Sequence, residues 1–234
     1  VRVLIDSIGV RYSHPTIVHR LRQQGVSVEL FETNAVTWRM PYANMRCHRK
    51  ILVIDGAQGF AGGMNIREGF TVEFGGEKQS HDTHFKITGP VVSDFFSIAA
   101  EDWRFTTKEL LDAPVWDIAI PDGVPGSQIV ARVSSSGPDK SIETSHKMLM
   151  GAFSVARSSI LIMSPYFLPD RELISALITA ARRGVVVDII VPQSNNLVLV
   201  DRAMTAQFDQ MLKNYCRIWR ATGAFNHSKL LVID

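Results

Sequence analysis

Four residues carry the clearest chemistry in this sequence: His48 and Lys50 in its first third, and His227 and Lys229 near its other end. Each pair sits in the frame His-x-Lys-x4-Asp, which closes at Asp55 in the first copy and at Asp234 in the second. An imidazole beside an ammonium is a poor structural pair, because neither neutralises the other. It is a good pair for an anion that one group attacks and the other holds. At ordinary residue usage the frame arises by chance at roughly 1 in 10,000 positions. One copy is a weak signal; two copies, each leading into an apolar run, are a strong one. The competing interpretation, two surface strand starts that carry basic residues, does not explain the repetition.

The apolar runs position these groups. Ile51 to Ile54 and Leu230 to Ile233 are β-formers, so each motif reads as a buried strand. Residues i and i+2 of a strand point the same way, so each histidine shares a face with its lysine. Asp55 lies an odd number of residues from His48 and belongs to the opposite face. Its expected role is to fix the Asp55-Gly56 turn rather than to orient the imidazole. The first copy runs on to Gly62, Gly63, Met64 and Asn65. The two glycine backbones and Asn65 are expected to line an anion site.

Further out, alternation and helical spacing mark the scaffold. Strands are expected at 1–6, 26–31, 81–88, 128–134, 160–164, 185–191 and 217–221, and one more runs through Phe60. Helices are expected at 15–24, 91–103, 141–157, 171–183 and 199–214. Residues 32–46, broken by Pro41, read as a loop that delivers Trp38, Tyr42, Asn44 and Arg46 beside the first motif. Residues 112–126, with Pro114, Pro121 and Pro125, read as a linker. This gives a first half at 1–112, a linker and connecting strand at 113–140, and a second half at 141–234. The stretch 1–55 parallels 187–234 as strand, helix, strand, loop, motif. The counterpart of 141–186 is expected before Val1, and a further glycine-rich loop after Asp234, so the sequence reads as an excerpt truncated at both ends. Tyr166 follows a strand's C-terminal end, where α/β sites commonly lie.

Composition narrows the classes. The 234 residues are 46% hydrophobic and 21% charged, enough for a real core. A net charge of +2 does not indicate nucleic-acid or membrane binding by itself. The two cysteines, Cys47 and Cys216, have no framework spacing and are expected as free thiols. No apolar run approaches the roughly 18 residues of a membrane span. No compact acidic or Cys/His cluster suggests a metal site, and no cofactor is expected.

The two motifs resemble the paired HKD signatures of the phospholipase D superfamily. Gly62-Gly63-Met64-Asn65 matches the family's Gly-Ser-x-Asn continuation except for glycine at the serine position. Three more stretches, 81–90 with 101–103, 164–170 and 183–196, are similar to bacterial cardiolipin synthases. The resemblance implies an α/β fold of two similar α-β-α sandwich halves, with mixed sheets, related by a pseudo-twofold. It implies phosphatidyl transfer between phosphatidylglycerol molecules through a phosphohistidine, with a hydrolytic phospholipase D, an HKD phosphodiesterase or nuclease, or an inactive anionic-lipid-binding module as alternatives. It implies His48 as nucleophile and His227 as acid and base, with Lys50 and Lys229 on the nonbridging oxygens. A nucleophilic imidazole needs an acceptor on its other nitrogen. Asp82, on the polar face of 81–88, is the candidate for His48, and the carboxylate for His227 is expected beyond Asp234. His84 and Tyr166 are candidate pocket residues. The expected partners are phospholipid, missing segments of the same chain, and a membrane surface at the cytoplasmic side of a bacterial membrane, with no nucleic acid.

Overall fold

The computed structural model describes residues 1–12, 15–31, 47–76, 79–119, 126, 129–137 and 143–234. The loop expected at 32–46, with Trp38, Tyr42, Asn44 and Arg46, lies outside the described residues, as do the linker prolines Pro121 and Pro125. The chain forms two compact units. The first comprises Val1–Phe60 and Lys86–Ser141, and the second Ala61–Phe85 and Ile142–Asp234. Residues 61–85 thus follow the first motif in sequence but cluster with the second unit.

In the first unit, β1 (Arg2–Asp6), α1 (Ile17–Gln23) and β2 (Ser27–Phe31) form a strand–helix–strand with the strands parallel. Thr16 caps α1, its side chain accepting the His19 N–H at 3.3 Å. Val10, Val18 and Val28 make a small core with Val3, Ile5, Leu21 and Leu30 packed on it. β3 (Ile51–Ile54) and β4 (Gln58–Gly62) follow, and β5 (His84–Thr88) completes a sheet ordered β3-β4-β5. The residue ranges of the two units divide within β4 and within β5. Asp55 and Gly56 both have positive φ, 51° and 63°, and the Ala57 N–H reaches the Ile54 carbonyl at 3.0 Å. This is the two-residue hairpin turn that an Asp-Gly pair favours, and it accounts for Asp55. α2 (Val72–Gly75), a single turn, belongs to the second unit, and α3 (Val92–Thr107), back in the first, buries Val92, Phe95 and Trp103.

The second unit repeats the plan at larger scale. α4 (Thr144–Val155), β6 (Ser159–Met163), α5 (Arg171–Arg182), β7 (Val186–Pro192), α6 (Val198–Leu212), β8 (Arg217–Ala221) and β9 (Leu230–Ile233) build a sheet ordered β8-β7-β6-β9. β6, β7 and β8 are parallel, while β9 runs antiparallel to β6, pairing Leu230 with Met163 and Ile233 with Ile160. The sheet is therefore mixed. Ile174, Leu177, Ala180 and Ala181 line one side of α5 at helical spacing. They join Ile160, Val187, Ile189, Val191, Met204 and Met211 in the larger core.

Two expectations need correction. No strand forms over the described part of 128–134, where Ile129 and Val130 are almost fully exposed. β-propensity alone does not make a strand there. The alternation at 81–88 is real only from His84 onward. His81 instead makes an isolated parallel bridge to Asn226.

Candidate active site

Both histidine–lysine pairs lie immediately before a strand, β3 and β9 respectively. Each lysine folds back onto its own motif. Lys50 Nζ donates to the His48 carbonyl at 2.7 Å, and Lys229 Nζ donates to the His227 carbonyl. The residue between them anchors each segment. Arg49 pairs with Asp102 at 2.5 Å and donates to the Ser136 carbonyl at 3.1 Å. Ser228, fully buried, shares a hydrogen bond with Thr83 at 2.9 Å.

The second unit holds the more elaborate arrangement. Backbone bonds from His81 N to the Phe225 carbonyl, 2.9 Å, and from His227 N to the His81 carbonyl, 2.7 Å, clasp 81–83 to 225–228. The clasp sets Asp82 against His227. Asp82 Oδ2 lies 2.8 Å from His227 Nδ1, and Oδ1 accepts the Thr83 N–H at 2.7 Å. The Asp82 side chain is fully buried and that of His227 nearly so. Asp82 was expected behind His48; its carboxylate binds His227 instead, so the acceptor expected beyond Asp234 is already present.

A carboxylate only accepts, so this contact places the proton on Nδ1 and leaves the Nε2 lone pair open. Lys229 Nζ lies 2.9 Å from the same Nδ1. An ammonium only donates and suits the opposite tautomer, so Nδ1 cannot serve both. Lys229 has a second acceptor in the His227 carbonyl, which leaves the proton to Asp82. Three aromatic rings hold the imidazole plane. The Phe70, Tyr166 and Phe225 centroids stand 6.2, 5.6 and 6.1 Å from it. Tyr166 is itself held by Asn196, its hydroxyl donating to Oδ1 at 3.0 Å, and Lys229 Nζ lies 5.8 Å from its ring.

The remaining expected residues take other places. Asp234 does not face His227. Its carboxylate accepts the backbone N–H groups of Arg157, Ser158 and Ser159 at 3.0, 2.8 and 2.9 Å. Those amides, Ser159 foremost, hold it below the usual carboxylate range. It fastens β9 to the start of β6, and it has a positive φ as Asp55 does. Gly62 and Gly63 lie against 82–84, with Gly63 N donating to the Thr83 carbonyl at 3.2 Å. Asn65 follows two residues on, half-buried, and its carbonyl accepts the Arg67 N–H. His84 Nδ1 is buried without a hydrogen-bond partner, under Gly62. Phe70, Phe225 and Asn196 were not anticipated as site residues. Only Phe225 had a local cue, its position two residues before His227. Burial raises the Cys47 thiol, with Asp102 adding to the effect, and pushes Cys216 up to about 11; neither is an activated nucleophile. A groove of about 470 Å³ between α4 and α5, lined by Met150, Phe153 and Arg171, holds no motif residue. Among the described residues, no group of three or more His, Cys, Asp or Glu is arranged to hold a metal.

Residues 149–234 match the family model described as "Cardiolipin synthase, PLD-like domain". Cardiolipin synthase A of Pseudomonas fluorescens (strain SBW25) is 33% identical over 236 residues, covering 99% of this chain and 47% of that protein. The chain belongs to the phospholipase D-like family. The cardiolipin synthase of Alkalihalophilus pseudofirmus agrees, at 32% identity over the whole chain and 46% of its own length. This phospholipase D-like chain therefore spans about half the length of the relatives it matches. Among solved structures, phosphatidylserine synthase of Haemophilus influenzae superposes with TM-score 0.58 at 17% identity, covering the whole chain and 63% of that protein. Polyphosphate kinase of Porphyromonas gingivalis gives 0.57 at 16%, with 34% of its chain covered. Both share the fold of the phospholipase D-like chain.

Proposed function

We propose that the protein containing this chain is a phosphatidyltransferase of cardiolipin synthase type. The observation that supports it most is the buried Asp82–His227 pair beside Lys229, in a chain of this family. An imidazole held as the Nδ1–H tautomer offers a free Nε2 for moving a proton. The ammonium beside it can hold a phosphate oxygen as charge gathers there in the transition state.

In the first step His48 attacks the phosphorus of one phosphatidylglycerol. A P–N bond forms, the P–O bond to glycerol breaks, and protonated His227 gives the departing glycerol its proton. Neutral His227 then takes the proton from the hydroxyl of a second phosphatidylglycerol as that oxygen attacks phosphorus. The P–N bond breaks and cardiolipin leaves. Proton transfer of this kind contributes about 10²–10⁴-fold. Lys50 and Lys229 supply the positive charge, with no cofactor. The two motif-bearing halves at 1–112 and 141–234, joined by the linker, each bring one histidine–lysine pair. The substrates place this chemistry at a bacterial membrane surface, facing the cytoplasm, with no part for nucleic acid; among the described residues no helix is long and apolar enough to cross a membrane.

Full-length protein given phosphatidylglycerol is expected to yield cardiolipin and glycerol in equal amounts. A His227→Asn variant, quenched during turnover, is expected to carry phosphatidyl label on His48. Release of phosphatidic acid alone would make it a hydrolase, and label on another residue would remove His48 as nucleophile.

A further inference from the structure

The glycine pair that follows the first motif was expected to line an anion site. Its surroundings indicate another role. A Cβ built on Gly63 would stand 2.5 Å from Asp82 Oδ1, 2.8 Å from Oδ2 and 3.0 Å from Cγ. The three nearest neighbours of that position all belong to the one carboxylate that binds His227. The φ of Gly63 is outside the left-handed region, so its backbone would accept any side chain. Only the space is forbidden.

Gly62 differs. Its Cβ would meet the Thr83 carbonyl oxygen at 2.4 Å and His84 Cα at 2.7 Å, both backbone atoms. A side chain there must displace the chain itself. One at Gly63 need only turn a carboxylate. Restoring ordinary contact means moving Oδ1 from 2.5 to about 3.4 Å, a shift of about 0.9 Å. Oδ2, the atom bonded to Nδ1, starts at 2.8 Å from that Cβ and must move by about 0.6 Å, enough to stretch its 2.8 Å bond to Nδ1 beyond ordinary hydrogen-bond length.

The geometry points to Gly63 as a positioning residue. Its missing side chain is the recess that holds Asp82 on His227 Nδ1, so the tail of the first motif sets the tautomer of the second motif's histidine. The inference rests on His227 being the proton carrier proposed above, and its test has a readout that needs no turnover.

Full-length protein carrying Gly63→Ala, Asp82→Asn, both together, or Gly62→Ala is compared with wild type. Gly63→Ala is expected to lower kcat about 10- to 100-fold, the scale of a misplacement near 1 Å, with KM and melting temperature close to wild type. The double variant is expected to fall no further than Asp82→Asn alone. Gly62→Ala is expected to lower the melting temperature. In ¹⁵N NMR, wild-type His227 is expected to show a protonated Nδ1, and Gly63→Ala to lose it. A Gly63→Ala protein that retains that signal overturns the inference, as does an additive double variant or one that fails to fold. Loss of the signal in Gly63→Ala, with no phosphatidyl transfer by wild type, supports the inference and overturns the proposed function alone.

Discussion

Asp82→Asn changes one atom of the site and should abolish most of its turnover. Asp82 has two acceptors in use, Oδ1 for the Thr83 N–H at 2.7 Å and Oδ2 for His227 Nδ1 at 2.8 Å. Asparagine has one oxygen. If it stays on the Thr83 N–H, the amide NH₂ faces Nδ1 and draws out its lone pair, and the proton moves to Nε2. His227 then presents a donor where a base is required. If the amide flips, two N–H groups confront each other at Thr83, a buried loss of about 1–3 kcal/mol. Either orientation also removes the negative charge that faces the imidazolium formed during transfer, worth a further ~1–2 kcal/mol for a hydrogen bond to a charged group. Together these amount to about 2–5 kcal/mol, or roughly 30- to 4,000-fold in kcat. The assay is cardiolipin formation by full-length protein, beside a thermal melt to show that the fold survives. A correctly folded Asp82→Asn protein within about threefold of wild type would remove Asp82 from the mechanism.

Two further outcomes follow from the second unit. Backbone amides hold Asp234 below the ordinary carboxylate value of 3.8. A depressed folded value means that its contribution to stability is present above the unfolded value and is lost as pH falls through the folded one. The gap in urea midpoint between wild type and Asp234→Asn should therefore narrow as pH falls from 7 to below about 4; a constant gap would show that the amide bonds contribute nothing. Leu177→Ala opens a cavity in the larger core, where Leu177 is fully buried, and should destabilise by about 2–5 kcal/mol in chemical denaturation. A loss under 1 kcal/mol would mean that α5 is not fastened to the sheet as described.

The scaffold was largely legible because its signals are local. The run at 217–221, the helix at 171–182 and the turn at Asp55-Gly56 each carry their cause within a few residues: β-formers, apolar spacing with an Asp170 cap, and an Asp-Gly pair. Failures came where the cause is remote. Ile129 and Val130 have strand propensity, yet both stay exposed and outside any strand. His81 to Thr83 continues the alternation of β5, yet pairs with residues 145 positions away. The repeated histidine–lysine frame is visible from spacing alone. The partner of Asp82 is not, since proximity in sequence pointed to His48 and tertiary pairing selected His227. The carboxylate beside Gly63 is equally illegible, because a sequence shows an absent side chain without showing what fills its place.

The backbone clasp between His81 and residues 225–227 also dictates an order of events. Every strand pairing of the β8-β7-β6-β9 sheet is made within 159–233, whereas the clasp must close a loop of more than a hundred residues. Long closures lose chain entropy before any contact compensates, so they come late. A newly made polypeptide can therefore complete its large sheet and still lack a competent imidazole. In the mechanism proposed above, such a molecule has its scaffold but not the carboxylate that sets the His227 tautomer.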